Sequence, residues 1–208
     1  MSTEYIWFKG GKESRRTADP AGKLPLKEEL SGGREINHKY FPSGNIARSV
    51  YTTKGKRTKS IDYNMFGGKV VTEYSGRSAF VKEVFKSDGS RVKTEHYKNL
   101  KDKHRDGDKP AYVLYIRDSK GTDDDIQVAE YYKDGKLHRD GDKPAEIRNN
   151  DDGSKRYETY YQNGKKHRDG DKPADLVYED GVVMLSNQYK NGVRVEGGKY
   201  THKNWVPF

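Results

Sequence analysis

The chain has 208 residues, with 41 Lys+Arg against 32 Asp+Glu, a net charge of +9 and no cysteine. No cysteine means no disulfide framework and no thiolate metal site. No apolar run approaches the ~20 residues of a membrane-spanning helix and no secretory leader is evident, which fits an intracellular or virion-associated protein. Leu, Ile, Val and Phe fall below ~20% of residues, a level that goes with disorder when net charge is high, but 16 tyrosines add burial the aliphatic count misses. The expectation is a thin sheet with a narrow core.

In chain order, Phe8-Lys9-Gly10-Gly11-Lys12 reads as an aromatic strand running into a turn, followed by Arg15, Pro20 and Ala21. Leu24 to Leu30 is the one stretch that suggests a turn or two of helix. A ladder of aromatics and glycines then runs through Tyr40 with Gly44, Tyr51 with Gly55, Tyr63 with Gly67, Tyr74 with Gly76 and Phe85 with Gly89. Glycines about every 11 residues predict short antiparallel strands joined by tight turns, in meander order.

The second half repeats outright. His-Arg-Asp-Gly-Asp-Lys-Pro-Ala occurs unchanged at His104–Ala111, His138–Ala145 and His167–Ala174. Such repetition marks a repeat architecture and is read before any local feature. Tyr132 with Asp134-Gly135, and Tyr161 with Asn163-Gly164, precede the second and third copies. Asp-Gly and Asn-Gly favour a type I′ turn, which needs positive φ at both central residues. Strands are expected after each Pro-Ala, over 111–117, 145–148 and 174–178, and the longer loop around Ser119–Asp125 accounts for the unequal copy spacing. Degenerate copies flank the perfect ones. Tyr189-Lys190-Asn191-Gly192 repeats the aromatic turn with Val195 in place of His; at Tyr97, Leu100 replaces the turn glycine and one extra residue precedes His104. The Phe8–Pro20 stretch fits as an N-terminal degenerate copy. The expected organisation is a basic, degenerate β-repeat region over 1–94 and an octapeptide region over 95–208.

The Tyr-x-x-Gly-Lys pattern followed by a short strand resembles the MORN repeat and its antitoxin-like variants, without the tryptophan common in that motif. The fuller form with His-Arg and Gly-x-x-Pro-Ala resembles tandem repeats of uncharacterised bacteriophage and giant-virus proteins. The resemblance implies an all-β fold, an elongated antiparallel meander used as a binding or assembly surface in a host cytoplasm or a virion, and no chemistry of its own.

Three histidines, three arginines and six aspartates in the octapeptides invite a metal reading. Equivalent residues in successive copies lie at least two strands apart, ~10 Å at ~4.8 Å per strand, so His104, His138 and His167 cannot meet on one zinc ion. Asp-Gly-Asp resembles part of a calcium loop but lacks the carboxylates of a 6–8-coordinate site. The preferred reading is structural. Asp106, Asp140 and Asp169 with their glycines make turns, and Asp108, Asp142 and Asp171 bond backbone N–H groups. Arg105, Arg139 and Arg168 pair with carboxylates of the same or a neighbouring copy, and the histidines form a hydrogen-bonded column. No cofactor or metal is expected. No Ser-His-Asp set, phosphate loop or acid–base pair stands elsewhere, so an enzyme is not expected.

Charge divides unevenly. Residues 1–100 hold 20 Lys+Arg and 11 Asp+Glu, and residues 101–208 hold 21 of each. Lys54, Lys56, Arg57 and Lys59 cluster beside Tyr51 and Tyr63, a pattern able to bind phosphates and stack bases, or simply to keep sheet edges soluble. The leading functional expectation is an interaction protein that binds a host or virion protein through its repeat face, oligomeric or not. The alternatives are a nucleic-acid binder acting through the basic half and an antitoxin-like neutraliser.

Overall fold

The computed structural model describes residues 4–9, 12–18, 27–76, 78–116 and 120–200, with side chains from residue 30 to 195 apart from Asp123. The protein is all-β. Among these residues the one helical element is a single 3-10 turn at Asp123–Asp125. The chain divides into two compact units between Gly89 and Ser90.

In the first unit β1 (Glu4–Lys9) and β2 (Lys12–Ala18) pair antiparallel. The turn residues Gly10 and Gly11, and Pro20 and Ala21, lie outside the described residues. β3 (Lys27–Leu30), β4 (Arg34–Tyr40), β5 (Ile46–Thr53), β6 (Lys56–Tyr63), β7 (Lys69–Ser75) and β8 (Ala79–Phe85) follow in meander order, each paired antiparallel with the next. The expected helix near Leu24–Leu30 is corrected here: residues 27–30 are a strand, because Lys27 to Leu30 find backbone partners along Asn37 to Arg34.

The turns explain the glycine ladder. On one margin of this sheet sits a two-residue turn at Lys54-Gly55, with φ of 49° and 72°. On the opposite margin the loops 41–45 and 64–68 are longer and each contains a left-handed glycine: Gly44 N–H donates to Phe41 O and Gly67 N–H to Asn64 O. One glycine per strand therefore falls on alternate margins. The core is thin. Val71 is the one buried apolar side chain of this unit among the described residues, alongside His38, Ser49, Ser60 and Thr72. Some of the buried polar groups pair with one another, as where His38 Nδ1 meets Ser49 Oγ at 2.9 Å, whereas Thr52 Oγ1 is buried without a hydrogen-bond partner.

The second unit opens with β9 (Arg91–Tyr97) and β10 (Tyr112–Tyr115), continues with β11 (Ile126–Glu130), β12 (Tyr132–Lys133), β13 (Lys136–Leu137), β14 (Glu146–Asn149), β15 (Lys155–Thr159), β16 (Tyr161–Gln162), β17 (Lys165–Lys166) and β18 (Asp175–Glu179), and ends with β19 (Val182–Lys190) and β20 (Val193–Tyr200). Its sheet is an open antiparallel meander in the order β9-β10-β11-β14-β15-β18-β19-β20. The short hairpins β12–β13 and β16–β17 stand off its margin. The expected strands after Pro-Ala form at β10, β14 and β18. The turns at Asp134-Gly135, Asn163-Gly164 and Asn191-Gly192 have positive φ at both residues, 50° and 77°, 52° and 81°, 53° and 88°, as a type I′ turn requires.

Ala111, Ala145 and Ala174, the last residues of the three octapeptides, are fully buried. Each donates its N–H across the sheet, to Glu130, Thr159 and Asn187 O respectively. The chain thus re-enters the sheet at a point with no room beyond Cβ, which is why each copy ends in Ala. Around Ala174, Tyr160 and Leu176 are buried, with Tyr178, Val183 and Tyr189 packed against them.

Candidate functional site: a ladder of octapeptide loops

Each copy leaves the sheet through its hairpin and turns back at His-Arg-Asp-Gly-Asp-Lys-Pro. The hairpin mouth is closed by His138 N–H to Tyr131 O and His167 N–H to Tyr160 O, both 3.0 Å, and in the first copy by His104 N–H to His96 O, also 3.0 Å. These bonds align His96, Tyr131 and Tyr160 as equivalent positions. Tyr132 and Tyr161, on which the repeat was read in sequence, are their outward neighbours.

The histidines are bonded alike. Nε2 of His104, His138 and His167 lies 3.0, 2.9 and 3.0 Å from Oδ1 of Asp106, Asp140 and Asp169 in its own copy. Nδ1 accepts the backbone N–H of the next hairpin turn, from Asp134, Asn163 and Asn191 at 3.0, 3.1 and 3.1 Å. A ring nitrogen that accepts an N–H carries no hydrogen of its own, so the hydrogen that meets each aspartate sits on Nε2. The histidines do not bond one another; they join a loop to the following turn. The turn glycines tie the same hairpins together, Gly135, Gly164 and Gly192 N–H donating to Lys103, Leu137 and Lys166 O.

The arginines also bridge copies. Arg139 Nε donates to Asp108 Oδ1 at 2.5 Å, and Lys143 Nζ lies 2.6 Å from Asp108 Oδ2. One copy on, Arg168 Nε and Nη2 hold both oxygens of Asp142 at 2.5 and 3.1 Å, with Lys172 Nζ at 2.7 Å. Arg139 and Arg168 each also donate Nη1 to the carbonyl of their own loop proline, Pro144 and Pro173, at 3.1 Å. Their guanidinium carbons lie 3.6 and 3.8 Å from the ring centroids of Tyr131 and Tyr160, stacked where a cation gains from the ring's negative face. Hydrogen bonds from Arg139 and Lys143 hold the Asp108 carboxyl well below the usual carboxylate range; Arg168 and Lys172 do the same to Asp142. The sequence expectation that the second aspartate caps backbone N–H groups is therefore corrected for Asp108 and Asp142. A guanidinium and an ammonium from the next copy take both carboxylate oxygens, and charge-assisted bonds are the stronger option.

The first copy departs from this pattern in two ways. Its hairpin has no Asp-Gly turn. Instead Asn99 Oδ1 accepts N–H from Lys101 and Asp102, at 2.9 and 2.8 Å, and accommodates Leu100 and the extra residue. In addition, the ring beside Arg105 is His96, not tyrosine. Burial, then the Arg105 charge, lowers the His96 pKa to about 4.

Below the loops, tyrosines and acids alternate with lysines. Lys103 Nζ lies 4.3 Å from the Tyr112 ring centroid and 5.3 Å from that of Tyr132, and Tyr132 donates to Glu130 at 2.9 Å. Glu95 is buried; desolvation works to raise its pKa, but Lys93 and Lys103 outweigh it and the net shift is downward. A cleft of about 540 Å³ separates the first and second loops, and one of about 220 Å³ the second and third. Among the described residues no group of three or more His, Asp or Glu is placed to hold a metal ion. In the second copy, the two aspartates of the Asp-Gly-Asp loop are engaged by cations or histidine, so neither is free for calcium.

The basic set of the first unit is only partly gathered. Tyr51 pairs with Lys59 across β5–β6 and Tyr63 lies four residues further along β6 on the same face, but Lys59 Nζ is bound to Glu73 at 2.9 Å. Arg57 faces the other way after a bulge, its guanidinium 5.6 Å from the Tyr74 ring centroid. Lys54 forms the turn itself, and Lys56 is exposed beside it.

Compared with known proteins, the chain matches no family model, no curated protein and no solved structure. No helix among the described residues is long and apolar enough to cross a membrane.

Proposed function

We propose that the chain is a non-catalytic scaffold that binds a partner protein along its three octapeptide loops. One observation carries this reading. Arg139 and Lys143, and Arg168 and Lys172, are bonded to Asp108 and Asp142 of the preceding copy, while the outer aspartates, Asp106, Asp140 and Asp169, stand with side chains 101%, 78% and 85% exposed. Each is fixed from behind by the same histidine bond. Lys133 adds to the hold on Asp140 and Gln162 to that on Asp169; a row of like, preorganised groups lowers the ordering cost of association and suits contacts spread over neighbouring repeats. The resemblance to MORN-like and bacteriophage repeat proteins supports the same reading and points to a host or virion protein as the partner.

The test is affinity capture with the intact chain, a variant with Asp140 and Asp169 changed to Ala, and one with Lys54, Lys56, Arg57 and Lys59 changed to Ala, each shown to be folded. Capture of a defined partner that weakens only in the aspartate variant supports the scaffold. A nucleic-acid reading retains one favourable observation: Lys54, Lys56 and Arg57 cluster at the β5–β6 turn and carry no carboxylate partner among the described residues. Strongly salt-dependent binding of DNA or RNA, lost only in the four-Ala variant, would replace the scaffold with that reading.

A further inference from the structure

Arg105 and Lys109 occupy in the first copy the places that Arg139 and Lys143, and Arg168 and Lys172, hold in the next two. Arg105 is fixed the same way, with Nη1 donating to Pro110 O at 3.2 Å against 3.1 Å in the later copies. In those copies the pair encloses an aspartate from the preceding loop. No octapeptide precedes His104, and among the described residues no carboxylate lies on Arg105 or Lys109. The ring beside Arg105 is His96, half-buried and neutral at pH 7, which offers less to a cation than the tyrosines of the later copies. The first clamp therefore has the same two cations and the same arginine-to-proline bond as the others, with a different ring beneath, and holds no carboxylate among the described residues.

We infer that Arg105 and Lys109 form a receptor for one aspartate side chain of a partner protein, its carboxylate bridging Arg105 Nε and Lys109 Nζ as Asp108 bridges Arg139 and Lys143. This deepens the scaffold reading and rests on it for the existence of a protein partner. Two occupied copies define the ligand chemistry. Both oxygens of a planar carboxylate are taken, one by the guanidinium and one by the ammonium. The occupying aspartate sits between a glycine and a lysine in an exposed loop, with its side chain 46% exposed. A phosphate would leave oxygens unpaired in so small a clamp. The site is shallow, so an isolated peptide should bind weakly, in the millimolar range, and a full partner should gain about tenfold in affinity from the contact.

The test uses the intact chain with 15N-labelled arginine, following the side-chain Nε–H resonances while acetyl-Gly-Asp-Gly-amide is added. The Arg105 resonance should shift saturably while those of Arg139 and Arg168, already occupied, stay in place and report that the ladder is folded. Lys109→Ala should weaken the response several-fold. Arg105 unmoved by the aspartate peptide overturns the receptor. So does an equal response to acetyl-Gly-Asn-Gly-amide, which shows no need for the charge, or to inorganic phosphate, which shows a general anion site. Partner capture is read separately. Capture unchanged by Arg105→Ala overturns the receptor and leaves the scaffold standing; an intact chain that captures no partner overturns the scaffold.

Discussion

Replacing His96 with the residue its position holds in the later copies, His96→Tyr, should stabilise the protein, and more so in acid. Tyr131 and Tyr160 show that the slot takes a tyrosine with an arginine stacked on it. A partly desolvated cation–π contact with Arg105 contributes about 0.5–2 kcal/mol, which for a chain of this size is a rise in Tm of roughly 1–8 °C at pH 7.5. The acid effect comes from removing His96 itself. Its folded pKa is depressed from 6.5 to about 4 by burial and by Arg105. Both folded and unfolded forms are neutral above pH 6.5, so its contribution is complete there. As pH falls from 6.5 towards 4 the unfolded chain takes up the proton first, and stability is lost. At pH 4.5 the wild type should have lost roughly 1–2.5 kcal/mol from this group, allowing for solvent screening of a half-buried ring. Urea denaturation of both proteins at pH 7.5 and 4.5 measures the two contributions. The gap between variant and wild type should widen by that amount on acidification. A variant less stable at pH 7.5 would mean the first slot is not equivalent to the others, and an unchanged gap would remove His96 as the source of acid sensitivity.

Arg168→Ala should cost about 1–3 kcal/mol through loss of stacking on Tyr160 and of the bond to Pro173 O; Arg168→Lys should recover little, since an ammonium cannot make the planar fork, and thermal melts compare the two. Gly121→Ala should destabilise by at least ~1 kcal/mol in the same assay: its φ is 73°, and an added Cβ would lie 2.4 Å from Arg91 O. Asp108 and Asp142 have depressed folded pKa values, so what they contribute is present above the unfolded value near 4 and lost only as pH falls below it; the Asp108→Asn, Asp142→Asn double variant should flatten the stability profile below about pH 4 and leave the profile between pH 5 and 7 parallel to that of the wild type. EDTA should leave Tm unchanged, and a clear fall on chelation would reveal an ion that the loop geometry does not account for.

The fold was legible because turn chemistry is local. Asp134-Gly135, Asn163-Gly164 and Asn191-Gly192 dictate their φ values wherever they stand, and strands between such turns have few ways to pair. The Lys54-Gly55 turn adopts the same conformation without an Asn or Asp, because the glycine supplies half the requirement and Lys54 N–H gains a bond to Gly33 O at 2.7 Å. The strand at Lys27–Leu30 was missed because its cue lies in β4, which offers an open edge, and not in its own Lys-Glu-Glu-Leu. At the loops, identity across three copies showed that the surroundings repeat, but not which way each side chain faces. Tyr131 and Tyr132 are adjacent and alike in composition, and only the alternation along a strand decides which lies under the arginine. The bonding direction of Asp108 and Asp142 was equally hidden. A pairing offset by one copy leaves the same composition as a pairing within the copy, since every copy carries both partners. Only at the end of the series does the offset leave a mark in sequence: the first octapeptide has Arg105 and Lys109 but no Asp-Gly-Asp loop before it. An offset ladder of identical steps must begin with an unmatched half-step, and in this chain that half-step is cationic.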